Sequence, residues 1–298
     1  MAAFSDSRIV LAGHHGYVQM TTDRGSHWTP QLLDPPTFGR DTSFSDIQVI
    51  DSNTSIAVGH WGGLFKSTDR GENWINLSCT QSIDYYGNGL EFVDANNGWM
   101  VGWDYTQGVY MNTWRTRDGG LSWEPAPQIN VPGLDIEFLG QKGWLLTPGR
   151  PLWRTQNGGE TWAMSNLATN AGSSPSPSQM AWGNASFGYV CGWDGYIAKS
   201  VNGGASWTQL GQMQEGMTYL GVLAIGSNEV WVCGAREGGG QAVVKRSVDG
   251  GATWRTWNLP GQYTTPYQMI KTPSYLYVSG YSGAVWRMPL GTRTQRLP

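Results

Sequence analysis

Apolar residues in this chain come in short runs of four or five, each closed by glycine, asparagine or aspartate, as in Asp46-Ile-Gln-Val-Ile50, Ser55-Ile-Ala-Val58, Gly63-Leu-Phe-Lys66 and Asn73-Trp-Ile-Asn-Leu77. Runs of that length, rich in β-branched and aromatic residues and bounded by turn formers, predict strands. The same order of four runs, here called A to D, returns along the chain with a period of 39 to 49 residues. A four-stranded unit of that size has two faces to bury, and stacking copies around an axis buries both while protecting the sheet edges.

Pairs of B and C runs begin near Ile9, Ser55, Gly98, Gly143, Gly188, Glu229 and Tyr275, which makes seven units. The expected fold is all-β: a single seven-bladed β-propeller over residues 1–298, with mostly four antiparallel strands per blade and 291–298 as a tail or closing strand. The first unit lacks an obvious A strand and the last an obvious D strand. Met1 to Phe4 and Thr292 to Pro298 are the segments left to supply them.

The turn between C and D carries the clearest repeat. Thr21-Thr-Asp-Arg-Gly-Ser-His-Trp28 returns with Asp or Asn at Asp23, Asp69, Asp118, Asn157, Asn202 and Asp249, each with a hydroxyl residue two places earlier, Gly two later and Trp five later. An Asp or Asn side chain accepts hydrogen bonds from backbone N–H groups two or three residues on, and the Gly takes positive φ without steric cost. The hydroxyl and the Trp are expected to tie the turn to its sheet and to wedge against the next blade. Asn in two of the six copies keeps the acceptor and discards the charge, so these residues read as structural.

Composition agrees with a turn-rich β protein: 42 Gly and 17 Trp with only 14% charged residues. A net charge of -3 removes nucleic acid as a default partner, because phosphate binding needs a basic face. Cys79, Cys191 and Cys233 show no metal spacing, and the last two fall where other units carry Ala12, Val58, Val101 and Ser279, so they read as small packing residues. No cofactor or metal is expected. The chain has no run long enough for a transmembrane segment, and Met1 to Arg8 lacks a signal-peptide pattern, so a cytoplasmic or virion location is expected.

The repeated Ser/Thr-x-Asp-Gly-Gly-x-Ser/Thr-Trp turn resembles the Asp-box, or BNR, repeat over residues 8 to about 288. The compact blades and the Val-Gly cadence are most similar to the photosystem II stability and assembly factors among the sialidase-related propellers. That resemblance implies a non-catalytic scaffold or assembly factor that holds a protein partner. Related repeats imply two alternatives: a phage virion component of tail or capsid, and a glycan-binding or glycoside-hydrolysing propeller. Sialidases carry Arg-Ile-Pro near the start, whereas this chain has Arg8-Ile9-Val10.

Binding residues are expected on the B–C loops, which share one end of the blades with the D–A connections, opposite the boxes. The first blades offer His14, His15, His60 and Trp61, the third Trp103, Asp104 and Tyr105, and the fourth Arg150. The last three offer Trp193, Asp194, Arg236, Glu237 and Tyr281. These residue types are common interface anchors, and they also cap exposed backbone. The A strands should line a central channel, with polar Gln48, Glu91, Asp135, Glu137 and Gln268 facing it. Glu91 and Glu137 are candidates for a carboxylate pair, with a solvated channel as the plainer reading. Two long D–A connections, Thr29 to Ser45 and Ser165 to Ser178, lie on the candidate face.

Overall fold

The computed structural model describes residues 1–33, 43–77, 85–104, 111–126, 129, 131–149, 151–168, 176–210, 216–238, 240–261, 264–290 and 295–296. Seven four-stranded sheets follow one another, each built from four consecutive strands, and the fold is a seven-bladed β-propeller. In the second blade the strands span Phe44–Val49, Ser55–Gly59, Leu64–Ser67 and Ile75–Asn76, close to the runs read from sequence. The end blades complete themselves. Ala2–Ala3 is the A strand of the first, pairing Ala2 with Val10, and Gln295–Arg296 is the D strand of the last, pairing Arg296 with Trp286. No α-helix occurs among the described residues, and no helix is long and apolar enough to cross a membrane.

The burial of each strand follows its place in the sheet. B strands such as Ser55–Gly59 and Gly188–Gly192 are buried at every position, since both of their faces are covered, and so their sequences are continuously small or apolar. D strands such as Thr29–Leu32 and Arg255–Asn258 are mostly exposed, short and polar, which limits edge-to-edge association.

By internal contacts the chain forms two compact units, Met1–Phe138 and Leu139–Pro298. In the first unit Val10, Val18 and Leu33 of blade one meet Phe44, Ile47 and Phe65 of blade two, and Ile56, Val58 and Leu64 of blade two meet Leu90, Phe92 and Trp123 of blade three. In the second unit Tyr189, Cys191 and Ile197 pack with Tyr219, Val230 and Val232, and Cys233 and Val244 with Met269, Leu276 and Trp286. Cys191 and Cys233 thus fill core positions as expected; Cys79 lies outside the described residues. The box tryptophans wedge backwards, not forwards: Trp74 joins the cluster of blades one and two, Trp123 that of two and three, and Trp254 that of five and six. The left-handed box turn curls each indole toward the preceding sheet, which is why the expectation of a contact with the next blade fails.

The box turn itself is a closed hydrogen-bond circuit. Thr116 Oγ1 donates to Asp118 Oδ1 at 2.8 Å and accepts from the Gly120 N–H at 2.8 Å. Asp118 then accepts from the Ser122 N–H at 2.9 Å and the Ser122 hydroxyl at 2.6 Å. The carboxylate therefore reaches the N–H four residues on, one turn further than its sequence context suggests. In the Asn copies the second atom reverses its role: Asn157 Nδ2 donates to Thr161 Oγ1 at 3.0 Å and Asn202 Nδ2 to Ser206 Oγ at 2.8 Å. A side-chain amide thus completes the same circuit.

Both residues after the Asp or Asn are left-handed, a feature the Gly pattern half conceals. Gly119 and Gly120 have φ of 73° and 88°, and the first position is filled by Arg24 at 62° and Arg70 at 66° in the two earliest boxes. The first left-handed residue aims its carbonyl at the preceding blade, which caps it. Arg8 Nε donates to the Arg70 carbonyl at 3.0 Å, Lys66 Nζ to that of Gly119 at 2.8 Å, Trp144 Nε1 to that of Gly203 at 3.0 Å and Lys199 Nζ to that of Gly250 at 3.3 Å. Box turns are therefore parts of the blade-to-blade joint.

Candidate functional site

At the opposite end of the sheets, four B–C connections are the same turn. Gly13-His-His-Gly16, Gly59-His-Trp-Gly62, Gly192-Trp-Asp-Gly195 and Gly280-Tyr-Ser-Gly283 each close with the N–H of the first Gly donating to the carbonyl four residues on, at 2.8–3.0 Å. His15, Trp61 and Asp194 take positive φ at the third position, and Gly16, Gly62, Gly195 and Gly283 do so at the fourth. The second position always holds a ring: His14, His60, Trp193 or Tyr281. This Gly-ring-x-Gly cadence was visible in the sequence, although it carries meaning only once the turn is seen to repeat.

The main chain of this rim is pinned. His60 N–H donates to the Ser43 carbonyl at 2.9 Å, Trp193 N–H to Ser176 at 3.0 Å and Tyr281 N–H to Thr265 at 3.1 Å. In the longer hairpin of blade six, Glu237 N–H does the same to Gly216 at 3.0 Å. Each ring-bearing residue is thus fixed to the segment entering its own A strand, and the side chains project from a rigid base.

In the first unit the rim brings together His14, His15, His60 and Trp61. His14 Nδ1 lies 3.3 Å from Ser43 Oγ, and the His14 and His15 rings are 6.4 Å apart. Burial, and then the charge of His14, hold the His60 pKa below the ordinary imidazole value. Trp103 is half-buried on blade three; the side chain of Asp104, and Tyr105 and Arg150, lie outside the described residues. Ser43, which joins the two histidine turns, had no signal in the sequence.

In the second unit Trp193 is 52% exposed and Tyr281 48% exposed, with Arg236 exposed on the blade between them. Tyr281 rests against Tyr267 with ring centroids 5.4 Å apart. Asp194 and Glu237 are tied inward: Asp194 Oδ1 accepts from the Gly216 N–H at 3.2 Å, and Glu237 Oε1 accepts from the Thr218 hydroxyl at 3.4 Å. The aromatic and arginine side chains are what the rim offers outward.

Polar residues on the A strands join neighbouring blades. Asp46 Oδ2 accepts from the Leu90 N–H at 3.0 Å, Gln48 Oε1 from the Phe92 N–H at 2.5 Å, and Gln179 Oε1 from the Val222 N–H at 2.8 Å. Gln48 Nε2 also donates to Glu91 Oε2 at 2.9 Å, and Glu91 in turn accepts the Phe138 N–H. Burial, then the charges of Glu137, Asp46 and Asp135, push the Glu91 carboxyl well above the usual range. Glu91 and Glu137 are therefore neighbours, as the sequence suggested, and Gln268 sits half-buried on the last A strand. Among the described residues no group of three or more His, Cys, Asp or Glu is arranged to hold a metal ion.

The raised carboxyl predicts a pH effect with a definite sign. A group whose pKa rises on folding contributes fully below its unfolded value and loses that contribution as pH rises through the folded one. Glu91→Gln removes the charge penalty and keeps an acceptor for Phe138, so it should stabilise the protein by on the order of 1 kcal/mol at pH 8, the gain shrinking toward pH 4. Thermal melts of both proteins across that range are the check; equal pH slopes would mean that Glu91 is ionised without strain.

No protein-family model matches the chain, and no curated protein matches it by sequence. Solved structures share the fold at low identity. A structure described as YCF48 bound to D1 peptide superposes with a TM-score of 0.74 at 18% identity, over 97% of this chain and 91% of that one. YCF48 from Cyanidioschyzon merolae gives 0.74 at 17% over 98% and 95%. A GH74 xyloglucanase from Xanthomonas campestris gives 0.67 at 13%, over 95% of this chain and 50% of that one.

Proposed function

We propose that this chain is a non-catalytic propeller that serves as a protein-binding scaffold or assembly component and holds its partner on the B–C rim. The observation that carries the proposal is the repeated turn: Trp193 and Tyr281 stand about half exposed at one turn position, with Arg236 exposed between them, all on pinned main chain. Tryptophan, tyrosine and arginine are the residues that dominate interface energetics, and a rigid base lowers the ordering cost of binding. The shared fold with a propeller that holds a peptide supports the same reading. So does the inner acidic group, whose side chains bond neighbouring main chain rather than stand ready for a substrate.

The test places a photo-crosslinking residue at position 193 on the rim, or at position 201, an exposed residue of the box turn at the other end of the same sheet. Irradiation in native extract should give a discrete protein adduct from 193, none from 201, and a loss of the 193 adduct on Arg236→Ala. Equal adducts from both ends, or none, would overturn the proposal. A glycan-array signal abolished by Trp193→Ala would replace it with the glycan alternative.

A further inference from the structure

We infer that the first unit's rim is a seat for a carboxylate-bearing segment of the protein partner, gripped between His14 and His60 with Trp61 alongside, and that its hold tightens in mild acid. The inference deepens the rim reading and rests on it.

The chain has 4 histidines, and three of them stand in two successive B–C turns. His14 and His60 occupy the same turn position in adjacent blades, and Ser43 joins the two: its hydroxyl lies 3.3 Å from His14 Nδ1 while its carbonyl accepts the His60 N–H at 2.9 Å. The imidazoles are thereby held over a common residue on fixed main chain. His14 and His15 are exposed, and His60 and Trp61 half-buried, so the group forms a shallow wall rather than a core contact.

The charge pattern selects the occupant. The two turns read Gly-His-His-Gly-Tyr and Gly-His-Trp-Gly-Gly, with no acid in either, whereas the rim of the second unit carries Asp194 and Glu237. Of the described groups packed nearby, Tyr17 closes the first turn, and Asp46 on the adjoining A strand has its carboxylate engaged by the Leu90 N–H at 3.0 Å. The connection leading to Ser43 adds Asp34, Arg40 and Asp41 in sequence. Two protonated imidazoles this near repel one another, and burial of His60 further opposes its charging. A carboxylate placed between them supplies the missing counter-charge, so binding draws in a proton and the affinity must rise as pH falls through the imidazole range.

Hexaglutamate peptide, with hexaserine as control, is the probe, and its affinity for the full-length protein is measured calorimetrically between about pH 8 and pH 6. The expected result is about tenfold tighter binding at pH 6, the consequence of one proton taken up. Proton uptake should also show directly as a binding heat that varies with the buffer's ionisation enthalpy. His14→Gln with His60→Gln should abolish the pH dependence, and Asp34→Asn with Asp41→Asn should leave it in place. Affinity independent of pH, or pH dependence that survives loss of both imidazoles in a protein of unchanged melting temperature, would overturn the inference. Failure of the rim reading looks different: crosslinks from position 193 would be absent whatever the hexaglutamate result.

Discussion

Gly192→Ala is expected to destabilise the protein by about 3 kcal/mol, lowering the melting temperature by roughly 6 °C in a chain of this size. The cause is close approach rather than backbone conformation. A Cβ at Gly192 would sit against the Ser176 carbonyl oxygen and 3.0 Å from Pro177 Cα, both main-chain atoms of the blade's own A strand that no rotamer change can move. Gly59 and Gly234 face the same obstruction from Ser43 and Thr218. Blade one provides the control. Gly13 holds the same repeat position, but there the A strand is only Ala2–Ala3 and reaches no further than Val10 in register, so a Cβ would meet nothing closer than 3.9 Å. Gly13→Ala should change stability by less than about 0.5 kcal/mol. Equal losses at positions 13 and 192 would show that turn conformation, not the neighbouring strand, demands glycine. The same close approach is what allows the His60, Trp193 and Tyr281 N–H groups to bond the entering segment, so this glycine sets the rim as well as the core.

The second large effect separates geometry from charge in the box turns. Asp118→Ala strands the Ser122 N–H, the Ser122 hydroxyl and the Thr116 hydroxyl and should cost about 2 kcal/mol. Asp118→Asn should cost less than about 1 kcal/mol at neutral pH, because Asn202 already completes the circuit by giving Nδ2 to Ser206 Oγ. Acid exposes the remaining difference. The Thr253 hydroxyl and N–H hold the Asp249 carboxyl down at about 2, and Asn73 likewise lowers Asp69. Carboxyls lowered on folding contribute stability above their unfolded value, near 4, and lose it as pH falls toward the folded one. Melts from pH 5 to pH 2.5 should therefore fall less steeply for Asp249→Asn than for the native chain. An Asn substitution as damaging as Ala would mean that the carboxylate charge is needed after all.

The seven-blade count was legible in the sequence because each blade repeats a local code: strand period, turn glycines and a box whose hydrogen bonds close within eight residues. Rim positions were legible for the same reason, since a B–C turn is known once its strands are known. Harder to see was everything made by residues of different blades. The direction of the box tryptophans, the lysine, arginine and indole caps on box carbonyls, and the bonds from Asp46, Gln48 and Gln179 to the next A strand involve partners 43 to 62 residues apart.

The sequence by itself determined strand order, blade number and the chemistry of each turn, because local hydrogen bonds and side-chain periodicity depend only on near neighbours along the chain. Tertiary structure alone decided which of those residues meet. Ser43 became the link between His14 and His60, and Glu91 acquired its raised pKa, because stacked sheets bring together groups whose burial and mutual charge are properties of the packed neighbourhood, not of any one segment.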